Sequence, residues 1–102
     1  MKEIKDLTKQ IKEELHGAKN YAKMAVAAKE SGQAANGKMY YDMANDEIKH
    51  AMNIHGIAVK MIEEKKKTVT SPQYMLDMWN DEHEEYLEKM AKIKYILGEY
   101  AK

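Results

Sequence analysis

The chain has 102 residues, a third of them charged, with 17 lysines balanced by 17 acids and neither arginine nor cysteine. That length supports one domain with a modest core, near the size at which oligomerisation often helps. Missing cysteine excludes disulfides, thiolate metal sites and a cysteine nucleophile. Missing arginine removes the side chain that reads phosphate and guanine edges bidentately, which argues against specific nucleic-acid recognition.

The start, MKEIKDLTKQIKEEL, carries charges every few residues and has no apolar stretch for a signal peptide. No segment approaches the roughly 20 apolar residues of a membrane span. A cytoplasmic location without membrane contact is the expectation. Nine methionines and no phenylalanine describe an adaptable core.

The spacing predicts a first helix over about 3–30. Ile4, Leu7, Ile11, Ala18, Tyr21, Ala25 and Ala28 recur at three and four, with Leu15, Ala22 and Val26 widening the stripe. Glu14 stands in that stripe where the pattern asks for an apolar side chain, with Tyr21 two turns on along the same face. On this helix alone, a carboxylate at the stripe's edge reaching water is the plainer reading. Ser31-Gly32 breaks the pattern, with Ser31 a candidate N-cap for the next helix.

A second helix is expected over about 33–67, its start falling somewhere between Gln33 and Lys38 because Asn36-Gly37 is a second weak point. One stripe holds Met43, Ala44, Ala51, Ile54, Ile57 and Met61, and within it stand Glu47 and His50, three residues apart and therefore one turn apart on one face. A carboxylate and an imidazole there need a hydrogen-bond partner or a metal ion to offset burial. A neighbouring stripe of Ile48, Met52, Val59 and Ile62 makes this helix apolar on more than one side, so more than one partner must cover it. The lysines at 65–67 suit a helix C-terminus.

Ser71 as N-cap with Pro72 at the first helical position predicts the start of a third helix, over about 72–100. Its stripe is Leu76, Trp79, His83, Tyr86, Met90, Ile93, Leu97 and Tyr100, and the acidic run 81–85 around His83 is read as a solvated face. The fold class is therefore all-α: an up-down-up bundle of three long antiparallel helices in a single domain, 1–102.

Folding the first hairpin about Gly32 sets Glu14 opposite His50, within a turn of Glu47. Three misplaced polar side chains then meet at one level, and two carboxylates with a neutral imidazole suit iron, manganese or zinc. Folding the second hairpin about Thr70 brings His83 near Ile57, within a turn of His55. His55 and His83, with Asn80 or Glu82, could form a second polar cluster or secondary site. There a pair of hydrogen-bonded core or interface histidines is the preferred reading. At the level of Glu47 the third helix offers only Glu88.

These motifs resemble those of the ferritin-like superfamily, which includes ferritins, bacterioferritins and rubrerythrins: a glutamate with a tyrosine seven residues later (Glu14, Tyr21), then Glu-x-x-His-Ala on the next helix (Glu47-Ile48-Lys49-His50-Ala51). The resemblance covers about residues 7–62. It implies that Glu14, Glu47 and His50 ligate metal, Glu47 bridging or chelating, in a di-iron site with Tyr21 beside it. The superfamily's usual four helices supply two such half-sites. This chain has three, and its third carries Asn80-Asp81-Glu82-His83 in place of a second Glu-x-x-His. The half-complement implies a homodimer or higher oligomer with the site at its interface, as in the short encapsulated ferritins that the chain resembles in length and in its first two helices.

Two functions are expected on these grounds. The leading one is a small di-iron carboxylate protein, of ferroxidase or oxygen- or peroxide-reducing type. The alternative is a metal-free helical interaction module that uses the third helix, with Trp79, Tyr86, Tyr95 and Tyr100 as its contacts.

Overall fold

The computed structural model describes residues 2–68 and 73–102. It contains three α-helices, α1 (Lys2–Glu30), α2 (Ala34–Thr68) and α3 (Gln73–Ala101). Each bound lies within a residue or two of the pattern-based expectation. The three-helix all-α architecture is as expected, drawn out into a rod of 58 × 17 × 16 Å. The proposed Ser71 cap and Pro72 start lie outside the described residues.

The first turn is closed by backbone chemistry. Gly32 takes φ 77°, a left-handed conformation that only glycine adopts without strain. Its N–H donates to Lys29 O at 3.1 Å and the N–H of Gln33 donates to Ala28 O at 2.8 Å, the paired bonds of a Schellman ending. Ser31 belongs to this ending: its N–H still donates to Ala27 O at 3.1 Å, so it does not cap α2. The first bond of α2 runs from Gly37 N–H to the carbonyl of Gln33 at 2.9 Å, which puts Gln33 in the capping position. At the other end of α2, Lys65, Lys66 and Lys67 occupy the last turn, where positive charge complements the helix dipole.

The helices α1 and α2 form an extensive antiparallel pair, α3 lies along α1, and α2 and α3 meet mainly through long side chains, their backbones seldom coming close. Small residues make the close α1–α2 approach possible: Ala18, Ala22, Ala25, Ala44 and Ala51 are fully buried. Gly37 is the tightest point, where an added Cβ would stand 3.3 Å from Ala25 O and 3.3 Å from Tyr100 Cε2. Ile11, Leu15, Ile48, Met90, Ile93 and Leu97 complete this larger cluster. A smaller one, Ile4, Ala58, Ile62, Met75 and Trp79, closes the end where α1 begins and α2 ends. Lys29 donates to the carbonyls of Tyr100 and, at 2.6 Å, Lys102, satisfying acceptors at the end of α3.

The broad apolar surface of α2 is only half used. Ile48 and Ile62 of the neighbouring stripe are buried, while Met52 (52% exposed) and Val59 (37%) face outward. Ile57, on the stripe of Glu47 and His50, is 52% exposed. That stripe is thus divided: Ala44 and Ala51 are buried against α1, while His50 and Ile57 lie on an open edge. Its open side faces away from the body of the chain.

Candidate metal centre

The first hairpin delivers Glu14, Glu47 and His50 to one place. One ligand atom from each lies within 4.8 Å of the others, the only group of three or more such side chains among the described residues. The geometry is a product of helix periodicity: Glu47 and His50 sit one turn apart on α2, and α1 runs antiparallel so that Glu14 arrives at their level. Nδ1 of His50 lies 3.4 Å from Oε2 of Glu14. The Glu14 side chain is 28% exposed and that of His50 57%, so the group is seated in the α1–α2 seam at its base and open to solvent at its rim.

Burial and charge are unbalanced here. Oε2 of Glu14 is buried and has no hydrogen-bond partner, a situation that costs free energy unless a proton or a cation resolves it. The Glu47 carboxyl is held above the ordinary carboxylate range, first by hydrogen bonding with Glu14, then by burial and by the Glu14 charge. His50 pulls it the other way. The two observations describe one condition. His50 Nδ1, 3.4 Å away, makes no hydrogen bond to Glu14 Oε2, and a proton held between the two carboxyls would ease their repulsion.

Gly17, which the periodicity alone did not single out, shapes the site. It faces Glu47, and a Cβ at this position would stand 3.6 Å from Glu47 Oε2. The absent side chain leaves room beside the carboxylate. The available signal was a glycine inside a helical pattern, one turn beyond Glu14, with no turn for it to serve. Tyr21 is half-buried and stacks on Tyr40 of α2, ring centroids 6.3 Å apart and planes 17° apart, so its aromatic face is engaged across the hairpin.

A separate cluster lies between α2 and α3. His55 and His83 meet with Nε2 and Nδ1 3.0 Å apart, in the register that folding about Thr70 gives. His55 stacks on Tyr86 at 4.2 Å with planes 8° apart, and Trp79 is 5.4 Å from its ring. Burial and the adjacent His83 hold His55 below the ordinary imidazole range. Glu82 does not join the histidines as a ligand: Lys12 of α1 pairs with its carboxylate at 3.1 Å. Asn80 is exposed.

Of the aromatic side chains suggested as contacts for a partner, three are committed internally. Trp79 is buried, Tyr86 packs against the core and His55, and Tyr100 stacks on Tyr41 at 4.7 Å. Tyr95 alone is largely exposed, at 70%. No helix among the described residues is long and apolar enough to cross a membrane.

Comparison with protein-family models, with curated proteins and with solved structures finds no match to this chain. Residue chemistry and geometry therefore carry the functional reading, and the ferritin-like likeness consists of two helical motifs.

Proposed function

We propose that this chain is a metal-binding protein of the di-iron carboxylate kind, with Glu14, Glu47 and His50 as its ligands. The observation that carries the reading is the buried, unpartnered Glu14 Oε2 within a group of three donors. Carboxylate oxygens with a neutral imidazole match the preferences of iron(II), and manganese and zinc are compatible with the same donors. These residues fit one divalent ion: its charge would satisfy Glu14 and offset the burial and mutual repulsion of the two carboxylates. In the proposed site Glu47 would bridge or chelate, Glu14 would ligate from the facing helix and His50 would bind through one ring nitrogen. Iron would supply redox chemistry of ferroxidase or oxygen- or peroxide-reducing type, while the protein fixes geometry and access.

Three donors from one chain do not complete a two-metal site. A second copy, applied to the open edge of α2, would bring the same three donors again. The exposed Ile57 and partly buried Ile54 and Met61 beside His50 suit such a contact.

The test is anaerobic loading of the purified protein with ferrous iron, with metal analysis and sedimentation of the product. About one iron per chain in a dimer is expected, lost in Glu47→Ala and in His50→Ala. A monomer holding two metals per chain would exclude the shared site. Absence of bound metal, with stability unchanged in both variants, would favour the metal-free interaction module.

A further inference from the structure

We propose that His55 and His83 form a second, independent metal site, a two-imidazole chelate for copper(II) or nickel(II) that clips α2 to α3. It shares no residue with the Glu14–Glu47–His50 group and stands whether or not that group binds iron.

The separation of the two nitrogens is the first element, because it suits a shared ion. Imidazole binds late first-row metals at roughly 2.0–2.1 Å. At those bond lengths, nitrogens 3.0 Å apart subtend about 95° at a common ion. That is the cis angle of square-planar or octahedral coordination. A tetrahedral zinc site would need the nitrogens about 3.3 Å apart at the same bond lengths. Tetragonal nitrogen and oxygen coordination is the preference of copper(II) and nickel(II), and copper(II) leads the affinity order for divalent ions.

Preorganisation is the second element. His55 lies flat against Tyr86 and beside Trp79, and His83 is stacked with His55 and with the same two rings. The aromatic walls restrict both imidazoles, so little side-chain freedom remains to be lost on binding. The pocket beside them is lined by Glu82 and Glu85 together with Lys12 and Lys89. Its two carboxylates offset the lysines, leaving no excess positive charge against a cation. A bridge here would join two helices whose backbones seldom approach and which meet mainly through side chains.

The competing account is a single N–H···N hydrogen bond between the rings. It needs one protonated and one free nitrogen, whereas the chelate needs both free, with the remaining protons on His55 Nδ1 and His83 Nε2.

The experiment uses Glu47→Gln/His50→Gln protein, so that the first site is silent, and titrates it with copper(II), nickel(II) and zinc(II). One copper per chain is expected, with an electron paramagnetic resonance spectrum showing two imidazole nitrogens and selective broadening of the His55 and His83 ring signals. Adding His83→Gln should weaken copper binding by at least roughly 10-fold, the loss that even an outer-sphere partner can produce. Adding His16→Gln should change nothing. Affinity unaltered by His83→Gln, or copper carrying at most one nitrogen from this pair, overturns the proposal. Should His83→Gln fail to fold, the spectrum and ring broadening of the parent protein decide it.

Discussion

At the residue scale, the carboxyl pair is an unresolved electrostatic problem in the metal-free protein. Because the folded chain raises the Glu47 pKa, chiefly through Glu14, it binds protons more tightly than the unfolded chain does. This contribution therefore favours folding below the unfolded carboxyl value of 4.5 and is lost as pH rises through the folded value. Glu47→Gln removes the titration and keeps a hydrogen-bond donor beside the Glu14 carboxylate. Metal-free Glu47→Gln is therefore expected to melt above the parent at pH 7, by no more than the 4–8 °C or so that about 1 kcal/mol represents at this size. The difference should vanish as pH falls below 4.5. A thermal-melt series across that range checks it, and a variant that melts lower at neutral pH would contradict the account. With ferrous iron present the order should reverse, since only the parent binds.

Helix contacts turn on small residues, and two glycines of α2 give opposite expectations. At Gly37 a methyl group would press on a backbone carbonyl of α1 and on the Tyr100 ring. Overpacking of about 1–3 kcal/mol then outweighs the gain of about 1 kcal/mol in helix propensity, so Gly37→Ala should cost roughly 1 kcal/mol net. Gly56 has nothing within 4 Å of the same Cβ position, so Gly56→Ala should gain up to about 1 kcal/mol. Urea denaturation of the two variants decides both. The seam between α2 and α3 carries its own pH dependence. His55 is faced by Lys12 from α1 and by Glu82, His83, Glu85, Tyr86 and Lys89 from α3. Its folded pKa is lowered from 6.5 by burial and by His83, so stability should rise with pH from the folded value up to about 6.5 and level off above it. Histidine proton shifts tracked through acid titration of the metal-free protein should place the His55 midpoint below 6.5. A His55 that titrates at or above 6.5 would remove this contribution.

For the whole molecule, the three helices make a rod whose largest helix is covered mainly from one direction. Met52, Ile57 and Val59 remain on its outside, and Ile57 lies two turns from His50 on the edge where the candidate metal centre opens. If a second copy covers that edge, Ile57→Lys should leave the helical circular dichroism intact and convert a dimer to monomer in sedimentation. Iron retention should fall with it, because each half-site loses its complement. A variant that stays dimeric and keeps its iron would move the interface to another face. Tyr95 and Leu87, exposed on α3, identify the alternative.

Helix number, helix bounds and the meeting of Glu14 with Glu47 and His50 were legible in the amino-acid order. They depend on local periodicity and on one hairpin reflected about Gly32, whose backbone conformation is intrinsic to glycine. The meeting of His55 with His83 came from the same arithmetic applied to the second hairpin. Tertiary structure decided what periodicity cannot express. Apolar spacing identifies a stripe but not its coverage, so Ile57 and His50 emerged at an open edge while Ile48 and Ile62 went inside. The Ser31 hydroxyl suggested a cap, but the left-handed Gly32 ended α1 one residue later and passed capping to Gln33. Gly17 acquired its place at the site only when α2 set Glu47 against it. Glu82 pairs with Lys12, 70 residues away in the chain. Each of these outcomes depends on which neighbour reaches a side chain across a helix seam, and that is a property of packing rather than of spacing along one helix.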